Sequence, residues 1–197
     1  MGAHALEASQ DPLTGQPETI RAFLGISLPE AQREVLASYR EACRAPGDGL
    51  RWVSPENLHL TLRFLGGVAP QRIEELSADL RRLRFPTFEA RLGGLGTFGR
   101  GRAVRVLWLG VEVGAAELTA LAGQAEEACR RVGLAPEPRP FNPHLTLARA
   151  RDSAGVQVPE LPPPPAVPAW TVDEFALFQS RVTPAGAIYS VLRRFGG

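Results

Sequence analysis

Apolar and polar positions along the chain fall into short runs of two periods. Ile20–Leu28 (IRAFLGISL) is almost wholly apolar and stops at Pro29, which predicts a buried strand. Pro29 then opens a helix to about Arg44, with Val35, Leu36 and Tyr39 at core spacing. Leu58–Leu65 alternates as a strand and is closed by Gly66-Gly67. Pro70–Arg84 carries Ile73, Leu76, Leu80 and Leu83 at i, i+3, i+7 and i+10, the apolar face of a second helix. Thr87–Leu92 and Ala103–Val113 read as strands, with the glycine-rich stretch Gly93–Gly101 as the loop between them. Ala115–Val132 is a third helix, ended by Gly133. Pro136–Pro143 is extended and His144–Ala148 is a strand. Val172–Val182 and Ala187–Phe195 make a hairpin through Thr183-Pro184-Ala185-Gly186. Between them, Pro159–Pro168 holds six of the 18 prolines and reads as a stiff polyproline connection. Strands outnumber helices and many are joined by short turns, which favours an α+β fold with antiparallel sheets.

One tetrapeptide occurs twice. His59-Leu60-Thr61-Leu62 returns unchanged as His144-Leu145-Thr146-Leu147, 85 residues later, each copy preceded by a short segment with a proline and an asparagine. In a strand, His and Thr share one face and the two leucines the other. The leucines can anchor a core while two HxT faces, related by a pseudo-twofold axis, look across one cleft. Two imidazoles can then serve an in-line displacement at phosphorus. One deprotonates water and the other protonates the leaving oxygen, each worth roughly 10²–10⁴-fold. The hydroxyls of Thr61 and Thr146 can hydrogen-bond the non-bridging oxygens as their charge grows.

Composition narrows this further. All 22 cationic residues are arginine, so Schiff-base and P-loop lysine chemistries are excluded. The net charge of +1 argues against coating long nucleic acid. Two cysteines and three histidines are too few for a zinc framework, and no carboxylate recurs beside either motif, so neither a metal nor another cofactor is expected. Residues 1–18 read as a disordered leader without signal-peptide character, and no apolar run approaches the ~20 residues of a membrane span. Cys43 and Cys129 read as free thiols of a reducing cytoplasm. The GxGxxG match Gly94–Gly99 precedes a strand rather than a helix, so it is no nucleotide fingerprint.

The twin motifs and their flanks, Arg51-Trp52-Val53 with Pro55–Gly66 and Phe141–Arg149, carry a family resemblance. The chain resembles the 2H phosphoesterase superfamily, and within it the bacterial and archaeal RNA 2′,3′-cyclic phosphodiesterases, long called 2′-5′ RNA ligases. The ending Phe175–Ser180 with Tyr189 and Leu192 also fits. The resemblance covers about Ile20 to Phe195. It implies two pseudo-symmetric α+β lobes, each an antiparallel sheet with outer helices, around a cleft carrying both motifs, so that residues 19–197 form one bilobal domain. It implies hydrolysis of RNA 2′,3′-cyclic phosphate ends, or nucleoside 2′,3′-cyclic phosphates, to 2′-phosphates without metal. It further implies weak reverse 2′-5′ ligation. His59 is carried over as proton donor and His144 as acceptor.

Arg149 matches a family arginine near the phosphate, yet its odd offset from His144 puts it on the wrong face of a regular strand, unless the strand ends or bulges first. Arg63 has the right parity with His59 and Thr61, against a role as a surface or strand partner. Phe141 and Trp52 could stack a base at the cleft edge, against a plain role in the core. The competing functions are hydrolysis of another small cyclic phosphate, such as ADP-ribose cyclic phosphate, and non-catalytic nucleotide or RNA binding. A cytoplasmic monomer is expected.

Overall fold

The computed structural model describes residues 19–158, 160–184 and 186–196. The expected leader, Pro159 and Ala185 lie outside the described residues. The strands are β1 Ile20–Ser27, β2 Leu50–Trp52, β3 His59–Val68, β4 Phe88–Arg100, β5 Ala103–Val113, β6 His144–Ala150, β7 Trp170–Val172, β8 Glu174–Thr183 and β9 Gly186–Gly196. The helices are α1 Glu30–Cys43, α2 Pro70–Leu80 and α3 Ala115–Arg131. The strands form one curled antiparallel sheet in the order β7-β4-β5-β6-β3-β1-β8-β9, with β2 paired to β6 off that path.

Each helix folds for the reason its pattern gives. Pro29 and Pro70 sit at helix starts, where a missing N–H costs nothing. The buried face of α1 is Gln32, Leu36, Tyr39 and Cys43, and that of α2 is Ile73, Leu76, Ser77 and Leu80. These faces pack on the convex side of the sheet, where Leu24, Leu60, Leu109 and Leu145 are nearly sealed from solvent. Fully burying one such side chain contributes about 2 kcal/mol. The polyproline connection crosses α1: Tyr39 Oη donates to the Pro162 carbonyl at 2.8 Å and Gln32 Nε2 to that of Pro168 at 3.2 Å. No helix of the described residues is long and apolar enough to cross a membrane.

Two expectations are corrected. Gly93–Gly101 is not a loop: β4 runs through it to Arg100, and the turn is confined to the residues before Ala103. Absence of side chains there permits close packing. A Cβ on Gly96 would stand 2.1 Å from the Trp108 indole. Gly66-Gly67 does not end β3, which continues to Val68 with Gly66 at φ +73°. Two three-residue strands, β2 and β7, are too short to show a period.

The most consequential irregularities are two bulges. Against β1, Arg63 pairs with Leu24 and Thr61 with Gly25, so Leu62 is the extra residue. Against β5, Ala148 pairs with Leu107 and Thr146 with Trp108, so Leu147 is extra. These are the same places in the two repeats. A bulge reverses the side-chain parity beyond it. Arg63 therefore points into the convex core, not the groove. It is 7% exposed, bonded to the Glu126 carboxylate and the Ala135 carbonyl, with Glu137 at 3.7 Å.

Arg63 thus joins β3 to α3 and to the segment after it. Replacing it with alanine strands Glu126 beside the core, and we expect Arg63→Ala to lose about 3 kcal/mol of unfolding free energy. Arg63→Met, which keeps the apolar stem, should recover little of it. Urea-unfolding midpoints check both; an Arg63→Ala midpoint equal to wild type would remove the ion pair from the account.

Candidate active site

Only one register pair joins β3 to β6, Leu60 opposite Leu145. In an antiparallel pair this brings His59 opposite Thr146 and Thr61 opposite His144. The leucines at 60, 62, 145 and 147 are buried, and the four polar residues between them are partly open on the concave face. The imidazoles sit diagonally across the junction, a separation of about 7–8 Å between such positions. That spacing leaves room for one phosphoryl group between them.

Both imidazoles are held alike. Nδ1 of His59 lies 2.7 Å from the carbonyl of Asn57, and Nδ1 of His144 lies 2.7 Å from that of Asn142. A carbonyl only accepts, so each Nδ1 carries the proton and each Nε2 is free for a ligand. Asn57 is itself fixed, because its Nδ2 donates to the Ala187 carbonyl at 2.8 Å. Aromatic rings complete the mounts. Phe23 lies 4.6 Å from the His59 ring and Tyr189 5.2 Å, edge-on. Phe98 lies 5.0 Å from the His144 ring, also edge-on, and Trp108 at 5.9 Å. Gly25 lets β1 run close beneath: a Cβ there would come 2.8 Å from the Leu60 carbonyl.

This enclosure sets the protonation state. Burial pushes His59 down to about 4, with the Arg149 and His144 charges adding to the effect and the Asn57 carbonyl opposing it. Burial, with Arg149 and Arg139 nearby, also holds His144 below the usual imidazole range. Both rings are therefore neutral at pH 7 in the free protein. A bound phosphate anion reverses the balance by stabilising an imidazolium.

The second bulge answers the parity objection to Arg149. Leu147 and Ala148 are both buried, and Arg149 emerges on the groove face, its Nη2 3.5 Å from Thr146 Oγ1. Phe64 is the counterpart of Arg149 in the first repeat, and it is the residue that parity missed. It is 45% exposed and heads a cross-strand row of Phe64, Phe23, Phe178 and Val191. Phe141 is not brought to the imidazoles; it packs half-buried against the main core. Trp52 is likewise a core residue, its indole N–H donating to Asp48 at 2.8 Å. The groove therefore collects His59, His144, Thr61, Thr146 and Arg149, and excludes Arg63. Sequence reasoning missed the mounting rings Phe23, Phe98, Trp108 and Tyr189, because their alternation looks like that of any strand. Among the described residues no three His, Cys, Asp or Glu side chains cluster as metal ligands.

Fold and site together define an α+β protein of two related halves, each giving one imidazole and one hydroxyl to a shared groove, the arrangement of the two-histidine phosphoesterases. A family model described as "LigT like Phosphoesterase" matches the chain twice, over residues 26–108 and 109–189, one HLTL in each. The chain belongs to this LigT-like phosphoesterase family. An RNA 2′,3′-cyclic phosphodiesterase of Thermotoga maritima is 36% identical over 178 residues, covering 88% of this chain and 93% of that one. The protein of that name from Escherichia coli is 35% identical, covering 90% and 97%. The crystal structure of E. coli LigT complexed with 3′-AMP superposes with a TM-score of 0.79 at 33% identity, over 91% of this chain and 98% of that one.

The depressed imidazole pKa values have a measurable consequence. His59 titrates near 6.5 in the unfolded chain and near 4 in the folded one, so between these values the unfolded state binds more protons. Stability should therefore fall as pH drops from 6.5 toward 4, and fall less in His59→Gln. Proton NMR should show the His59 ring still neutral at pH 5.5, and inorganic phosphate should raise its titration midpoint. A free-protein midpoint at 6.5 or above would contradict the enclosure.

Proposed function

We propose that this protein hydrolyses RNA 2′,3′-cyclic phosphate ends to 2′-phosphates by two-histidine acid–base catalysis that needs no metal. The carrying observation is the pair of identically mounted imidazoles, both Nε2 atoms free, facing each other across the β3–β6 junction. The curated relatives named as RNA 2′,3′-cyclic phosphodiesterases support the substrate class. In this reading residues 19–197 act as one bilobal catalytic unit, a monomer of the cytoplasm.

The chemistry is an in-line displacement. Nε2 of His144 takes a proton from water as its oxygen bonds to phosphorus. The P–O3′ bond breaks, and Nε2 of His59 gives its proton to O3′, leaving a 3′-hydroxyl and a 2′-phosphate. The order follows acidity: the more depressed imidazole, His59, makes the stronger acid once the phosphate has drawn a proton onto it, while His144 is the better base. Thr61, Thr146 and Arg149 hold the non-bridging oxygens as their charge grows. A 5′-hydroxyl in place of water gives the weak 2′-5′ joining reaction.

Replacing either His59 or His144 with alanine should lower kcat/KM at least 10²-fold on a short RNA with a 2′,3′-cyclic end. Activity should survive chelator, and the product should be the 2′-phosphate. Either variant at near wild-type rate ends the mechanism; a 3′-phosphate product ends the substrate reading. Since one ring must be protonated and both free-protein pKa values lie below 6.5, kcat/KM should peak on the acid side of 6.5, with kcat peaking at higher pH. A flat profile from pH 5 to 8 would exclude the pair.

A further inference from the structure

Beside the histidine groove, two arginines face each other. In the β2–β6 ladder Arg51 is the register partner of Arg149. Directly opposed residues of an antiparallel pair share a face. On β2 the neighbours Leu50 and Trp52 pack into the convex core, so Arg51 emerges on the groove side with Arg149, and both are exposed. Like charges directly opposite each other destabilise a sheet. Among the described residues neither guanidinium has a carboxylate partner, and the side-chain hydrogen bond recorded for Arg149 goes to Thr146. A third arginine, Arg139, presses on Arg149 by its charge, but it is engaged with Glu137 at 3.4 Å. An anion between Arg51 and Arg149 would find a guanidinium on each of two paired strands.

The placement says which anion. Arg149 turns inward to Thr146 and so belongs to the reacting phosphate. Arg51 lies one strand further out. From Thr146 to Arg149, β6 advances on the order of 7–10 Å, the scale of one nucleotide. On the opposite wing the position equivalent to Arg149 is Phe64, heading the apolar row toward β9. That wing suits a base, not a backbone. The groove thus has a cationic side and an aromatic side.

We propose that Arg51, paired with Arg149, forms a second anion subsite that holds the phosphodiester preceding the cyclic end. The substrate is therefore a chain end rather than a free cyclic mononucleotide. This rests on the function proposed above and deepens it. Guanidinium forks suit a diester's two free oxygens, and charge-assisted hydrogen bonds of this kind are among the strong ones.

The test compares a nucleoside 2′,3′-cyclic phosphate with a dinucleotide ending in the same cyclic nucleotide. Wild type should favour the dinucleotide in kcat/KM by about tenfold or more, chiefly through KM. Arg51→Gln should collapse that ratio, and Arg51→Lys should restore part of it. The salt dependence of kcat/KM for the dinucleotide should flatten by about 0.7 in log–log slope in Arg51→Gln, the loss of one phosphate contact on a single strand. Equal wild-type rates on both substrates, or an Arg51→Gln defect of the same size on both, would overturn the subsite. Failure of wild type to hydrolyse either substrate would instead remove the function on which it rests.

Discussion

The groove depends on one contact, the antiparallel meeting of β3 and β6 at Leu60 and Leu145. It joins two half-sheets into one and sets their two motifs side by side in opposite directions. Opposite direction is what turns a repeated sequence into a symmetric site, because His stands directly opposite Thr in both pairs and the two imidazoles take the diagonal. Both leucines are almost wholly buried on the convex side. The same pair therefore contributes to the core and fixes the spacing of the imidazoles.

Around that junction, packing and chemistry act through the same groups. The rings that mount His59 and His144 also limit their contact with water, and this burial holds both below the usual imidazole range. A negative charge entering the groove would supply the stabilisation that burial withholds from an imidazolium. The two bulges add asymmetry to this symmetric frame. At equivalent positions beyond them, one half presents Phe64 and the other Arg149. The matched buried positions are Arg63, paired across to α3, and Ala148, sealed in the core.

Much of the fold was legible because it rests on period. The buried stripes of α1 and α2, the proline at the start of each of these two helices and the hairpin β8–β9 all follow from local spacing. The HLTL pair was legible for the same reason, since alternation alone separates its polar face from its apolar one. Arg63 and Arg149 were not. Their parity was counted through Leu62 and Leu147, and nothing in those two leucines announces an extra residue. The glycines of β4 misled in a related way. Read alone they make a loop, but in place they belong to β4, where Gly96 clears space for Trp108. Trp52 showed an aromatic ring near the first motif without showing which side of the sheet it occupies.

By itself the sequence determined the two strands that carry the HLTL motifs, which of their residues share a face, and the chemistry that paired histidines and threonines offer, because side-chain alternation is a property of the local backbone. Only the tertiary structure decided which residues join them. Strand register, bulges and the meeting of distant strands depend on contacts between segments far apart in the chain. Those contacts sent Arg63 into the core, turned Arg149 to the groove, and set Arg51 opposite it.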